Sequence, residues 1–288
     1  MTHHDNHSAA EAGTFKIGGD LSVNRIGYGA MRLTGSGVWG DPDDRDGAKK
    51  VLHKALEMGV NFIDTADAYG PETNENLIRE ALYPYPSDVL VATKGGHVRD
   101  GDKNWLTDGR PEHIKESCEA SMKRLGVEQI ELYQLHRPDP DVPYEESIGA
   151  LAELKSEGKV RHVGISNVDV EQLEAARKIV QISSVQNRYN ITERDADDLV
   201  DACERSGIAF LPYFPLATGD LAKPGGQLDE VAEKHGASAG QVALAWLLHR
   251  SPVIIPIPGT SSVDHLAENV AAASISLGMN EMRTLNAA

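Results

Sequence analysis

The stretch IELYQLHRPDPDVPYEESIGALAELKSEGKVRHVGIS, residues 130–166, contains one complete unit of the fold. Its two ends, 130–136 and 160–166, are short runs rich in apolar and β-branched residues, as strands are. Between them Pro143 and Gly158 bracket an amphipathic segment in which Ile148, Leu151 and Leu154 recur at helical spacing. A strand, a helix and a second strand in this order imply parallel neighbours, because parallel pairing needs a crossover connection.

The same unit recurs along the chain. Strand-like runs read RIGYGA (25–30), NFIDTA (61–66), VLVATK (89–94), IELYQLH (130–136), VRHVGIS (160–166), SSVQN (183–187), AFLPY (209–213) and VIIPIPG (253–259). Helical patterns lie between them, as in 111–126, where Pro111 opens, Ile114, Cys118, Met122 and Leu125 form the apolar stripe, and Gly126 closes. Eight such units in about 250 residues predict an α/β fold of the (β/α)8 TIM-barrel type. A doubly wound sheet is the competitor, but its GxGxxG opening is missing; RIGYGAMRLTG comes nearest and lacks the spacing. FKIGGDLSV (15–23) reads as a hairpin around Gly18-Gly19-Asp20, placed to close the bottom of the barrel. Residues 14–288 form one expected domain, and residues 1–13 an expected flexible tail.

Composition narrows the partners. The 288 residues carry 28 Lys+Arg against 44 Asp+Glu, a net charge of −16, which disfavours nucleic acid or an anionic membrane as partner. No apolar run approaches the ~20 residues of a membrane span, and the start lacks a basic region followed by an apolar one. Cys118 and Cys203 form no CxxC, so a cytoplasmic setting without disulfides is expected. The strand ends show no metal-ligand spacing; His3-His4 lie in the tail. A monomer or weak homo-oligomer is expected.

In a barrel of this kind the active site lies at the C-terminal ends of the strands. There the sequence places Asp64 to Gly70, Lys94, His136, Ser166-Asn167, Gln186-Asn187 and Tyr213-Phe214-Pro215. Each has a bland reading: a cap for Asp64, a solvated Lys94, a satisfied His136. Ionisable groups on three consecutive strand ends must nonetheless share one mouth, where charges need partners. Convergence points to an enzyme without fixing the reaction.

FIDTADAYG (62–70), ATKGG (92–96), LYQLHRPDP (132–140), VGISN (163–167) and IPGTSSVDHLAEN (257–269) occur in that order. Together they resemble the aldo-keto reductase family, over nearly the whole chain, in its short bacterial form, with a fainter likeness to pyridoxal reductases. The resemblance implies NAD(P)H-dependent reduction of aldehydes and ketones by a catalytic tetrad of Tyr69, Asp64, Lys94 and His136. Tyr69 would deliver the proton, Lys94 lower the phenol's pKa, Asp64 hold Lys94, and His136 orient the carbonyl of a small-molecule substrate.

The resemblance also implies a nicotinamide site. Gly29, Ala30 and Met31, with Asp64, would line its floor; Ser166, Asn167 and Gln186 would bond the carboxamide. Tyr213 would stack on the ring, beside Phe214, Pro215 and Leu216. Gly259, Thr260 and Ser261, with His265, Glu268 and Asn269, would hold the adenosine phosphates at a helix start. The resemblance implies NADP(H) as the preferred cofactor; many members grip its 2′-phosphate with Lys and Arg where this chain has Gly259 and His265, which leaves NAD(H) open. Trp39 and Trp105, on loops after the first and third strands, are candidate substrate walls. A non-catalytic nicotinamide-binding redox sensor of the same fold is the alternative reading, and a metal-dependent barrel hydrolase or isomerase a further one.

Overall fold

A computed structural model describes residues 7–216 and 227–287. Seven parallel strands form the curved sheet, in the spatial order β11-β10-β9-β8-β5-β4-β3. They are β3 (Tyr28–Gly29), β4 (Phe62–Asp64), β5 (Leu90–Gly95), β8 (Ile130–Leu135), β9 (Val160–Ser166), β10 (Ile182–Gln186) and β11 (Ala209–Phe210). Helices α1 (Arg45–Glu57), α2 (Thr73–Leu82), α3 (Pro111–Leu125), α4 (Tyr144–Ser156), α5 (Val170–Arg177) and α6 (Asp197–Ser206) alternate with them, and α7 (Gln227–His235), α8 (Ala239–Arg250), α9 (Val263–Ala271) and α10 (Met279–Asn286) follow. The fold is the (β/α)8 barrel that the alternation implies.

The eighth segment closes the barrel without forming a full strand. Phe210 donates to Val253 and receives a bond from Ile255 (2.9 Å each), while Gly27 and Gly29 donate to the carbonyls of Pro256 (2.9 Å) and Pro258 (3.4 Å). Pro256 and Pro258 have no N–H to return, so on the β3 side only half of the ladder exists. The expected strands 25–30 and 209–213 are shortened to two residues each. Arg25 repairs part of the seam: its guanidinium donates to the carbonyls of Leu248 (2.8 Å), Ser251 (2.7 Å) and Ile254 (3.2 Å).

The expected hairpin is present as β1 (Thr14–Ile17) and β2 (Leu21–Asn24), antiparallel. Its Ile17 and Val23 pack with Phe62, Leu90, Leu132, Leu211 and Ile255, so it plugs the bottom of the barrel interior. Gly18 sits at φ +65°, and a Cβ there would lie 2.1 Å from the His162 ring; His162 in turn meets Asp20 at 2.7 Å. The turn is thereby pinned to β9.

The expected tail is corrected from residue 8 onward. Ser8 and Glu11 cap each other's backbone around a short 3-10 helix, Ala9–Ala12, and Ala9 is fully buried with its N–H on the Met58 carbonyl at 2.8 Å. The Ser8-x-x-Glu11 spacing was the available signal. His3 and His4 lie outside the described residues. Among the described residues no helix is long and apolar enough to cross a membrane, and no group of three or more His, Cys, Asp or Glu could hold a metal ion.

Two further β-strands, β6 (His97–Arg99) and β7 (Trp105–Thr107), form an antiparallel hairpin on the loop after β5. Sequence periodicity gives no hint of it, since it stands on the barrel rim rather than in the sheet.

Replacing Arg25 with Met leaves three carbonyls at the barrel seam without their charged donor. The expected cost is about 2–3 kcal/mol, seen as a lower urea midpoint at unchanged slope. A shift worth less than about 0.5 kcal/mol would show that the seam does not depend on Arg25.

Candidate active site

Side chains two residues apart on a strand face the same side, so β4, β5, β8, β9 and β10 send a layer of polar groups into the upper barrel. Asp64 ends β4, Lys94 lies on β5, Gln134 on β8, Ser166 on β9, Ser184 and Gln186 on β10. All are buried. Lys94 is fully buried, and its three ammonium protons have three acceptors: Asp64 Oδ2 at 2.6 Å, the Thr65 carbonyl at 2.9 Å and Tyr69 Oη at 3.4 Å. The other Asp64 oxygen accepts from Gln186 Nε2 (2.8 Å) and Gln134 Nε2 (3.3 Å), and Ser184 donates to Gln134 Oε1 (3.1 Å). A buried charge pair survives only with this degree of satisfaction.

Gln134 and Ser184 escaped the sequence reading. The signal was period two: Gln134 precedes His136 by two residues, and Ser184 precedes Gln186 by two. A Cβ on Gly164, between them, would come within 2.1 Å of Ser184 Oγ, so that position takes glycine to let the network close.

Tyr69 returns over the mouth on the loop after β4, as expected, and meets the His136 ring edge-on at 5.7 Å between centroids. Its phenol pKa is raised by burial, and the Lys94 charge only partly opposes this. The expected net lowering is therefore not what the site does; the phenol stays firmly protonated in the resting site. Lys94 itself keeps its proton: Asp64, and any phenolate at Tyr69, outweigh the desolvation of the ammonium. His136 is pushed well below the ordinary histidine range by burial, with Lys94, His97 and Arg137 adding to it. It is a neutral imidazole. Its Nδ1 is buried without a partner.

These groups open onto a cleft of about 1170 Å³. Its wall includes Gly29, Met31, Asp64, Tyr69, Trp105, His136, Ser166, Asn167, Gln186, Tyr213 to Leu216, Gly259 to Ser261 and His265, which the sequence reading named. Lys94 stands behind Tyr69. Ala30 turns inward, its carbonyl taken by Asn74 Nδ2 at 2.9 Å. Asn269 is buried in α9 and the Glu268 carbonyl accepts from Gln241, so neither joins the wall. Trp39 is also off the wall; the Arg99 guanidinium lies 5.4 Å from its ring and 4.0 Å from that of Trp105, which does line the cleft.

Asn167 differs from expectation. At φ 59° it turns the chain, and its amide is saturated: Nδ2 donates to the His136 carbonyl (2.9 Å) and Ser166 Oγ (3.0 Å), while Oδ1 accepts from Tyr213 (2.6 Å) and Arg137 (3.2 Å). It fixes the Tyr213 ring and leaves Ser166 and the Gln186 oxygen as the groups open to a ligand amide. Thr260 Oγ1 accepts from Ser262 N–H at 3.1 Å, and Ser262 caps α9. Ser261 and His265 are exposed at that helix start. Arg32, Arg137, His97 and Leu106 on the wall were not singled out from the sequence; His97 and Leu106 sit on the rim hairpin, and Arg137 directly follows His136 in HRPDP. A flat amide-bearing ring at the Ser166–Gln186–Tyr213 end and phosphates at the Gly259–His265 end suit a nicotinamide dinucleotide.

Because burial and neighbouring cations hold His136 neutral, its ring-proton NMR signal, assigned against His136→Gln, is expected to stay flat from pH 8 down to pH 5.5. A midpoint between 6 and 7 would contradict the assigned state.

The aldo/keto reductase family profile matches residues 25–288. Among curated relatives, an uncharacterised oxidoreductase of Schizosaccharomyces pombe is 51% identical over 93% of this chain and 87% of its own length. The pyridoxine 4-dehydrogenase of Escherichia coli is 46% identical over 95% of this chain and 97% of its own length. Among solved structures, an aldo-keto reductase from Klebsiella pneumoniae in complex with NADPH superimposes with a TM-score of 0.80 at 26% identity, covering 95% of this chain and 94% of that one. With a profile match over residues 25–288, close relatives and this barrel, the chain is a member of the aldo/keto reductase family.

Proposed function

We propose that the chain is an NADP(H)-dependent reductase of small aldehydes and ketones, with Tyr69 as the proton donor. The observation that carries this is the contact of Lys94 Nζ with both Asp64 (2.6 Å) and Tyr69 Oη (3.4 Å) at the cleft mouth. NADPH, when bound, supplies the hydride. Ser166 and Gln186 would hold its carboxamide, Tyr213 its ring, and Gly259 to Ser261 with His265 its phosphates. The NADPH complex of the Klebsiella relative supports that cofactor.

The rest is done by this chain. His136 Nε2–H bonds the substrate carbonyl oxygen and orients it. Tyr69 Oη accepts its hydrogen bond from Lys94, so the phenol hydrogen is directed away from Lys94 and toward the cleft. As negative charge develops on the substrate oxygen, Tyr69 gives up that proton. The ammonium 3.4 Å away stabilises the phenolate left behind. Lys94 thus acts on the product of the proton transfer more than on the resting phenol. The identity with pyridoxine 4-dehydrogenase makes pyridoxal a candidate substrate.

NADPH oxidation followed by absorbance with 4-nitrobenzaldehyde and pyridoxal tests this. Tyr69→Phe is expected to lower kcat by about 10²–10⁴-fold while NADPH affinity changes by less than about twofold. Retained activity in Tyr69→Phe would remove the proton-donor role. Wild-type protein that binds NADPH but reduces no carbonyl would favour the redox-sensor reading.

The phenol must be protonated to act in reduction, and its pKa lies above the ordinary 10.0. The reduction rate is therefore expected to hold level through neutral pH and to fall only in strong alkali. A rate that halves by about pH 8 would refute that assignment.

A further inference from the structure

The cleft wall is one-sided in charge. In a chain of net charge −16, the wall's only acidic side chain among the described residues is Asp64, and Lys94 matches it at 2.6 Å. Against it stand two exposed guanidiniums, Arg32 and Arg137. Neither has a carboxylate partner among the described residues. Arg45, Arg124, Arg161, Arg188 and Arg250 each hold a carboxylate at 2.5–2.9 Å, and Arg25, Arg79 and Arg99 donate to backbone carbonyls. What sets Arg32 and Arg137 apart is their place on one concave wall that turns no unmatched described carboxylate toward them, which leaves their donors open to an anion from outside.

The two lie at different ends. The Arg32 stem passes 3.5 Å from where a Cβ on Gly259 would sit, at the end of the cleft that would hold the cofactor phosphates. Arg137 lies at the reacting end. It follows His136 in sequence, its one hydrogen-bond partner among the described residues is the neutral Asn167 oxygen at 3.2 Å, and its charge reaches His136, His97 and Tyr213. The rim hairpin adds a flat apolar surface to this cleft, with the Arg99 guanidinium 4.0 Å from the Trp105 ring: Trp105 and Leu106 are 41% and 47% exposed, and His97, pushed down to about 4 chiefly by burial, is neutral with a buried, unpartnered Nδ1.

We infer that this site selects carbonyl compounds that carry an anionic oxygen group on a flat apolar body, with Arg137 as the specificity-determining residue. The inference rests on the reductase reading above. A guanidinium that spends one N–H on a neutral amide keeps further donors for a carboxylate, phenolate or phosphate. The neighbouring aromatic and aliphatic side chains would cover the body of the molecule.

The test compares kcat/KM for 3- and 4-formylbenzoate with the matching formylbenzamides, which keep the shape and lose the charge. Wild type, Arg137→Met and Arg137→Lys are measured at low and high salt, with NADPH affinity determined for each. Wild type is expected to favour the acids by about 10- to 100-fold, chiefly through KM, with the preference shrinking in salt. Arg137→Met brings the ratio toward one, and Arg137→Lys restores part of it, because it keeps the charge but not the planar fork. Wild type that reduces the amides as well as the acids overturns the inference and leaves the reductase reading intact. Equal losses on acids and amides in Arg137→Met, or a loss tracking NADPH affinity, show that Arg137 acts through Asn167 and also overturn it. Wild type that reduces no carbonyl at all, including 4-nitrobenzaldehyde, removes the reductase reading and this inference with it.

Discussion

The contact between Lys94 and Asp64 inside the barrel constrains everything around it. An ammonium with no exposed surface is tolerable only if each of its protons and the opposing carboxylate are satisfied. That demand reaches outward through Gln186, Gln134 and Ser184, so β4, β5, β8 and β10 must hold their register to within a hydrogen bond. It also reaches upward, since the third Lys94 proton has no acceptor unless Tyr69 closes over it. Breaking such a pair from one side leaves a bare buried charge, a loss of about 3–5 kcal/mol. The geometry of the proposed catalytic group and the stability of the upper barrel thus rest on the same set of bonds.

The barrel that carries this network is closed asymmetrically. Seven strands pair regularly, and the eighth segment, with prolines at 256 and 258, offers carbonyls but almost no N–H groups toward β3. The consequence is local: the chain there stays extended and leads directly into Gly259 to Ser261 on the cleft wall. A Cβ at Gly259 would sit 2.6 Å from the Gly29 carbonyl, so glycine is required for the seam itself. Where the family resemblance puts a cation at that position, this chain has a backbone contact, and Arg32 brings a positive charge to the same end from the opposite side of the seam.

Chemistry at the mouth is divided between a dry floor and a charged rim. Burial keeps the Tyr69 phenol protonated and the His136 imidazole neutral, the two states that the proposed reduction requires. Asn167 separates these groups from the rim by tying the Tyr213 hydroxyl and Arg137 to one amide oxygen. Its left-handed backbone, common for Asn, lets a single side chain reach the His136 carbonyl, Ser166, Tyr213 and Arg137 together.

The alternation of strand and helix, the hairpin at 15–23 and the strand-end positions of Asp64, Lys94 and His136 were all legible in the sequence, because period-two and period-3.6 patterns report which face is buried. Tyr69 and the cofactor-facing residues came from motif order, a family likeness rather than a spacing argument. What stayed hidden is what depends on several elements meeting. The saturation of Asn167, the Gln134–Ser184 support beneath Asp64, the stacking of Arg99 between Trp39 and Trp105, and the unpaired charge of Arg137 each need contacts between residues far apart in the chain. The sign of the Tyr69 shift was hidden for the same reason. Sequence shows the neighbouring cation, but only the folded barrel shows how much water has been removed, and desolvation outweighs that cation here.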